Sequence, residues 1–540
     1  MGNPFLGKTY AESLALIAGQ YRDRDALVFR DRRYSFADLK AEADKVSARL
    51  AALGMRRDDK VAILMPNRPE FLFMWLGAAQ MGMTAVMINT RLRPDEIAYQ
   101  LAQSESDAVF IPGQGAFRDF VGELAGLAPA LRDGRPGELG SEKLPRLRWV
   151  IVADAPPEGY AGLTDWSGPA PEGLEMPPME GDIDQPGIIA YSSGTTALPK
   201  GAMIGHHVWR KGWDIGIRVD FDAEDCLYMS IPLFGSMATM NGVLPLWTRG
   251  AKVVLGEQFD AGVCLEAIEQ ERVTAIHLLP PIVSQMAEHP DLDRRDTSSL
   301  RIGFVLSIAP EILDKVADVL KIPGVMTGYG MTETTTVLTR NWWNDPREVR
   351  HAKQGFALPD IELKIVDPQT LEAVPAGEQG EIWSRGYCNM LGYYNKPEET
   401  ARVLRDDGWF RTGDTGWLDE TGRLTYTGRL GDAYKSRGFN VAPQEIEHVI
   451  ARIEGVRQCA VVGIPAGNDD NVGVAYIVPE EGARLEAADI LQVLKPKLAS
   501  YKMPGEAFIV DDLPMTSGTG KVQKFKLRED AMARMKLTAG

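Results

Sequence analysis

The stretch Tyr191-Ser-Ser-Gly-Thr-Thr-Ala-Leu-Pro-Lys-Gly201 gathers residue types that suit a phosphate group. Ser192, Ser193, Gly194, Thr195 and Thr196 supply backbone N–H groups, hydroxyl donors and little bulk, and Lys200 adds a cation. A loop of that kind wraps phosphate oxygens. The order Pro199-Lys200-Gly201 excludes the Walker loop, which ends in Gly-Lys-Ser/Thr and opens a helix. Taken alone, such a loop is a solvated turn. The apolar run at 187–190 before it reads as a buried strand, so the polar residues lie where the chain leaves a strand end.

Six further motifs follow in order and change that reading. Tyr329-Gly-Met-Thr-Glu333 sets an aromatic face, a hydroxyl and a carboxylate behind the apolar run at 324–326. Leu391-Gly-Tyr-Tyr-Asn-Lys-Pro397 leads to Gly408-Trp-Phe-Arg-Thr-Gly-Asp414. Then come Tyr426-Thr-Gly-Arg429, Lys435-Ser-Arg-Gly-Phe-Asn440 and Leu513-Pro-Met-Thr-Ser-Gly-Thr-Gly-Lys521. Each is weak by itself, since a Thr-Glu pair caps helices and a Thr-Gly-Asp makes turns. Their ordered occurrence from Tyr191 to Lys521 is a strong signal.

The elements that must position these residues are legible in outline. A chain of 540 residues exceeds one core and predicts at least two domains. Ser35-Phe-Ala-Asp38 opens as a capping box, with Leu39, Ala43, Val46, Leu50 and Leu53 continuing at helical spacing. A strand is expected at 60–65, and Asn67 is expected to cap a helix with Pro69 in its first turn. A strand at 84–88, a helix at 94–103 and a strand at 107–111 continue the alternation. That pattern predicts an α/β fold with a doubly wound parallel sheet. The segment 134–182 is a Pro- and Gly-rich connector, after which alternation resumes. From Gly355 short β runs predict a β-rich subdomain (about 355–429), and beyond it a small α+β domain (430–540). The first 429 residues are the large domain.

Composition removes several function classes. A net charge of −16 argues against nucleic acid and anionic membrane surfaces as partners. The four cysteines are dispersed, so no disulfide framework or zinc site is expected, and a reducing cytoplasm is the default compartment. The adjacent His206 and His207 read as a helix start near the surface. The run at 71–88 has the length of a membrane span but carries Gly77, Gln80, Gly82 and Thr84, and is read as core, so no integral membrane segment is expected.

The ordered motifs resemble those of the AMP-forming acyl-adenylate superfamily, which includes acyl- and aryl-CoA synthetases, luciferases and peptide-synthetase adenylation domains. The resemblance runs from about Thr9 to Leu527. It implies a large N-terminal domain for ATP and acid and a small C-terminal domain that rotates on a hinge. The implied reaction joins a carboxylate to ATP as acyl-AMP, with Mg²⁺ as cofactor, and then to the CoA thiol. Thr195, Thr196 and Lys200 would cradle pyrophosphate, with Ser192, Ser193 and Gly194 in the same loop. Glu333 would be the magnesium ligand, Thr332 a donor to the α-phosphate, and Gly328 and Tyr329 a surface for adenine. Asp414 would accept the ribose hydroxyls and Arg429 anchor the nucleotide. Lys521 would meet the charge that develops in adenylation. Lys435, Arg437 and Gly438 would face the site during thiolation, with Arg437 near a CoA phosphate. Homodimers are common in such a family.

Departures from the family pattern fall mostly around the acyl group. Gly235, in Pro232-Leu-Phe234-Gly235, stands where a histidine is usual, and Ser307-Ile308-Ala-Pro310 replaces Gly-Gly-Ala-Pro. Ala197 replaces a loop glycine, and Gly431 occupies the hinge position usually held by Asp or Lys. The leading expectation is a CoA ligase for a hydrophobic acid, fatty or aromatic. The alternatives are loading of an acyl-carrier-protein thiol and a catalytically silent adenylate-binding homologue.

Overall fold

The computed structural model describes residues 2–113, 116–179, 181–192, 198–432, 434–436, 439–441, 443–467, 470–498, 500, 502–515 and 522–535. The chain forms two compact units. The first comprises Met1–Ile308, Ile312–Glu362 and Arg385–Phe410; the second comprises Ala309–Glu311, Leu363–Ser384 and Arg411–Gly540.

Parallel strands dominate the first unit, as the alternation predicts, but they divide into two sheets. One runs Gly392–Tyr393, Lys200–Gly205, Pro186–Ser192, Thr84–Met87, Lys60–Ile63, Ala108–Ile111, Trp149–Val152, Leu163–Asp165. Its strands from Pro186–Ser192 onward are parallel, and the first two are antiparallel additions at one side. The other runs Gly324–Met326, Ile302–Val305, Ala275–Leu278, Cys226–Met229, Lys252–Leu255, Asp25–Phe29, Arg32–Ser35, with only the last strand antiparallel. The parallel strands of this second sheet are buried along nearly their whole length, which is why they read as apolar runs. A small antiparallel sheet joins Gly328–Tyr329, Thr339–Arg340 and Phe356–Ala357.

Local signals acted as expected at several points. Ser35 and Asp38 form a reciprocal capping box at the start of the helix Phe36–Ala52. The run read as core at 71–88 is the helix Pro69–Gln80, buried on nearly every side, followed by the strand Thr84–Met87. Among the described residues no helix is long and apolar enough to cross a membrane. The four cysteines are free.

Two expectations need correction. Asn67 does not cap the helix Pro69–Gln80, whose N-cap position is Arg68. The Asn67 amide instead donates to the carbonyls of Ile231 (3.0 Å) and Gly256 (3.1 Å) and accepts from the Leu233 amide (2.7 Å). Buried loop backbone from another part of the chain outcompeted a local cap. The histidine pair does precede the helix Val208–Arg218, but not at the surface. His206 is buried, and its Nδ1 accepts the Tyr10 amide at 3.0 Å.

The second unit contains most of the sheet Ile361–Val366, Gly380–Gly386, Phe410–Leu418, Leu424–Arg429. A second sheet, Val456–Gly467, Asp470–Pro479 and Glu506–Ile509, carries the helices Pro443–Ile450, Ala487–Leu494 and Lys524–Arg534. Apolar side chains lie on both faces of that sheet, Val461, Ala475 and Ile477 on one and Val462, Val474 and Tyr476 on the other.

Candidate active site

In the first unit the site is built around Glu333. The strand Pro186–Ser192 ends with Ser192 opposite Lys200 of its antiparallel neighbour, so the Ser/Gly/Thr loop joins two hydrogen-bonded strands. Ser193, Gly194, Thr195, Thr196 and Ala197 lie outside the described residues. Ser192 Oγ donates to Glu333 Oε1 at 2.6 Å. Tyr393 Oη donates to the same oxygen at 2.9 Å, and the Met390 amide donates to the Glu333 carbonyl at 2.7 Å. Lys200 Nζ stands over the Tyr393 ring at 5.1 Å. Three motifs far apart in the chain therefore converge on one buried carboxylate.

The turn that presents Glu333 depends on backbone approach. A Cβ on Gly330 would fall 1.5 Å from the Thr336 carbonyl oxygen, so no other residue fits there without moving the turn. A Cβ on Gly328 would meet the Thr339 carbonyl at 2.8 Å. Thr335 (φ 53°) and Thr336 (φ 69°) both take the left-handed conformation, which is costly for β-branched residues. Side chains hold them there. Thr335 Oγ1 donates to the Cys388 carbonyl at 2.8 Å and faces His207 Nε2 at 2.8 Å. Lys211 Nζ, fully buried, donates to the Thr334 carbonyl. Burial pulls the Lys211 ammonium down to about 8 and His207 to about 3, with the Lys211 charge adding to the effect on His207.

Thr332 faces Ser236, their hydroxyl oxygens 3.4 Å apart. Ser236 follows Phe234 and Gly235, which places the acyl-pocket candidates beside the phosphate-binding candidates. A Cβ on Gly235 would meet only the Pro232 carbonyl, at 3.2 Å. The helix that begins at Ser236 passes into a π stretch, Thr239–Val243, a local widening that recurs at functional sites. Ser307 and Ile308 follow the strand Ile302–Val305 and are partly exposed. Tyr329 is buried, with its carbonyl accepting the Leu338 amide at 2.7 Å.

In the second unit Asp414 and Arg429 are register partners, and Arg429 Nε lies 2.9 Å from Asp414 Oδ1. The approach to Asp414 is fixed from behind. Glu381, 1 % exposed, accepts Arg411 Nη2 (2.9 Å), Trp383 Nε1 (2.9 Å) and the Gly413 amide (3.2 Å). Thr412 Oγ1 donates to the Ile382 carbonyl at 2.7 Å and accepts the Asp414 amide at 3.0 Å. Lys435 sits on the strand Tyr434–Ser436, opposite Asn440. Arg437, Gly438 and Lys521 lie outside the described residues.

Sequence reading named Glu333 and Ser192 but passed over Tyr393 and Lys211. Tyr393 lay within a quoted motif and could have been found there. Lys211, one of four charged residues in the amphipathic helix Val208–Arg218, gave no signal. Among the described residues no cluster of three or more His, Cys, Asp or Glu could hold a metal by itself. A single hard carboxylate with one oxygen already bonded fits Mg²⁺, which takes most of its ligands from water and phosphate.

Comparison with known proteins identifies the family. The model of the AMP-binding enzyme family matches residues 15–394, and that of the AMP-binding enzyme C-terminal domain matches residues 445–521. A putative acyl-CoA synthetase of Bacillus subtilis is 32% identical, over 98% of each chain. The mitochondrial medium-chain acyl-CoA ligase of Danio rerio is 31% identical, over 98% of this chain and 89% of its own. Among solved structures, ATP-bound MatB from Rhodopseudomonas palustris superposes with a TM-score of 0.83 at 27% identity, over 97% of this chain and 99% of that one. The chain belongs to the AMP-binding enzyme family, and it is an ATP-dependent, AMP-forming ligase of the acyl-CoA synthetase type.

Proposed function

We propose that the protein activates a carboxylic acid with an apolar body, fatty or aromatic, and passes the acyl group to the thiol of CoA. The observation that carries this reading is the clasp on Glu333 by Ser192 and Tyr393, which fixes a carboxylate at the mouth of a Ser/Gly/Thr loop. In the first half-reaction an oxygen of the acid attacks the α-phosphorus of ATP, and the bond to pyrophosphate breaks. In the second the CoA sulfur attacks the acyl carbon, AMP leaves, and the thiol proton passes to solvent.

Each residue then has a chemical task. Ser192, Lys200 and the loop between them hold the leaving pyrophosphate. Thr332 donates to the α-phosphate. Glu333 would hold Mg²⁺, whose charge offsets that of the phosphates when bound. Asp414 accepts ribose hydroxyls, a task for an ionised acceptor, and Arg429 stands beside it. Phe234, Gly235, Ser307 and Ile308 border the acyl group. The relatives whose names specify acyl-CoA synthesis support CoA as the acceptor and a medium-length or similar acid as the substrate.

The test is pyrophosphate release with ATP and Mg²⁺ against acetate, octanoate, palmitate, benzoate and cinnamate, with and without CoA. CoA-dependent turnover of an apolar acid is the expected result. Release that ignores CoA would reassign the acceptor to a carrier-protein thiol, and silence with every acid would overturn the reading.

A further inference from the structure

Three arginines of the first unit are buried, and two of them each donate to three backbone carbonyls. Arg218 donates to the carbonyls of Arg340 (2.7 Å), Phe356 (3.2 Å) and Ala357 (3.0 Å). Arg350 donates to those of Asp345 (2.9 Å), Val325 (2.8 Å) and Pro323 (2.9 Å). Arg340 differs. It is 1 % exposed, and its side chain makes one hydrogen bond, from Nη2 to Asn241 Oδ1 at 3.2 Å. Its Nε and Nη1 are buried and have no partner among the described residues. The guanidinium lies on the Phe304 ring at 4.4 Å. No carboxylate among the described residues offsets its charge; burial and the cation of Arg218 pull it down to about 9, and it remains a cation at neutral pH.

The groups around it do not relieve the deficit. The His277 ring stands edge-on to Phe304 at 4.7 Å, and burial keeps it neutral. Asn241 Nδ2 is directed at Met237 Sδ at 3.0 Å, and a thioether is a weak acceptor. The unmet groups of Arg340 and Asn241 are therefore donors. A buried cation with orphaned N–H groups is destabilising, and an apolar side chain of that length would pack there at lower cost.

The location of the cluster suggests what completes it. Asn241 belongs to the π stretch Thr239–Val243 that begins four residues beyond Gly235. Phe304 lies on the strand that leads into Ser307 and Ile308. Gly328 is exposed, and a Cβ there would stand 3.6 Å from Arg340 Nε and Nη2, so the guanidinium lies directly behind an open glycine backbone. Asn241 and Phe304, close in sequence to the two segments expected to border the acyl group, and the Gly328 backbone expected to face adenine thus surround this arginine.

We propose that the acid carries a second carboxylate at the far end of its apolar body, and that Arg340, assisted by Asn241, receives it. This rests on the reading of the protein as an acid–thiol ligase whose acyl site lies at Phe234, Gly235, Ser307 and Ile308. A carboxylate supplies the missing negative charge and accepts from two guanidinium N–H groups at once. Sites built to hydrogen-bond a substrate group discriminate strongly against analogues that lack it.

The experiment compares matched acids: octanoate with octanedioate, decanoate with decanedioate, and 3-phenylpropanoate with its para-carboxy derivative. Adenylation is read first, as ATP–pyrophosphate exchange without CoA, and then thioester formation with CoA. The wild type should favour the diacid of a pair by at least about 10-fold in kcat/KM. Arg340→Met should reduce that ratio roughly 100-fold, mainly through KM for the diacid, with Arg340→Lys between them. Asn241→Ala should lower it several-fold and keeps the test open if Arg340→Met does not fold, which thermal unfolding with ATP reports. A wild-type preference for the monoacids, or a ratio untouched by these variants, overturns the assignment. Exchange without transfer to CoA would remove the thiol assignment while the Arg340 ratio stays measurable. No exchange with any acid would overturn both.

Discussion

Glu333 illustrates how much of this chemistry depends on single contacts. Its Oε1 accepts hydroxyls from Ser192 and Tyr393, and a glutamine could accept both. Glu333→Gln should therefore leave folding intact while lowering pyrophosphate exchange roughly 100-fold, because only the charge is lost. Circular dichroism and exchange kinetics on one preparation check this, and an unchanged exchange rate would remove Glu333 from the proposed metal site. Gly330 is constrained differently. Gly330→Ala places a methyl 1.5 Å from the Thr336 carbonyl, so the turn must shift. Adenylation should fall by about 100-fold or more, with KM for ATP raised; wild-type kinetics would show that the turn yields freely. The motif at 329–333 was legible as a string of residue types. That its glycine is required by a carbonyl six residues later was not, since nothing in the spacing reveals a left-handed pair at Thr335 and Thr336.

Elements were legible where the signal is local. The capping box at Ser35 and the helix Pro94–Gln103 follow from residues within one turn of each other. Asn67 carried an equally good local signal, and loop carbonyls from Ile231 and Gly256 claimed it. The π stretch at Thr239–Val243 has no sequence signature, because it arises from how that segment sits among its neighbours. Gly431 falls between these cases. It is exposed and nothing would crowd a side chain there, so the glycine is not required for space. If it is required for freedom, Gly431→Pro should depress CoA ligation several-fold more than adenylation. Equal losses in both half-reactions would count against that role.

At the scale of the whole molecule, buried histidines set a pH response. Burial lowers His206 to about 4, against an ordinary value of 6.5. Between those values the unfolded chain binds the proton and the folded chain does not, so this contribution is present above pH 6.5 and is lost as pH falls toward 4. For His206 alone the loss is on the order of 3 kcal/mol. His206→Asn, which can still accept the Tyr10 amide, should flatten the stability curve in that window. Urea unfolding from pH 7 to pH 4.5 measures it, and an unchanged slope would place the proton elsewhere. The proposed division of labour between half-reactions is also a whole-molecule property. Lys521→Ala should abolish acyl-AMP formation yet largely spare CoA transfer from supplied acyl-AMP. Parallel loss of both would show a different role for Lys521.

By itself the sequence determined the alternation of strands and helices, the ordered motifs and hence the family, because these depend on residue type and near-neighbour spacing. It named the carboxylate at 333, the aspartate at 414 and the arginine at 429 for the same reason. Only the tertiary structure decided that the parallel strands split into two sheets, that Ser192 and Tyr393 meet on Glu333, and that His206 is interior. It alone showed Arg340 buried with donors unmet, in a strand whose sequence reads as ordinary. Those outcomes depend on contacts between residues far apart in the chain, Tyr393 and Glu333 by 60 positions and Tyr10 and His206 by 196. They are settled by which distant group fills a space or answers a hydrogen bond, and that information is held in no single stretch of the chain.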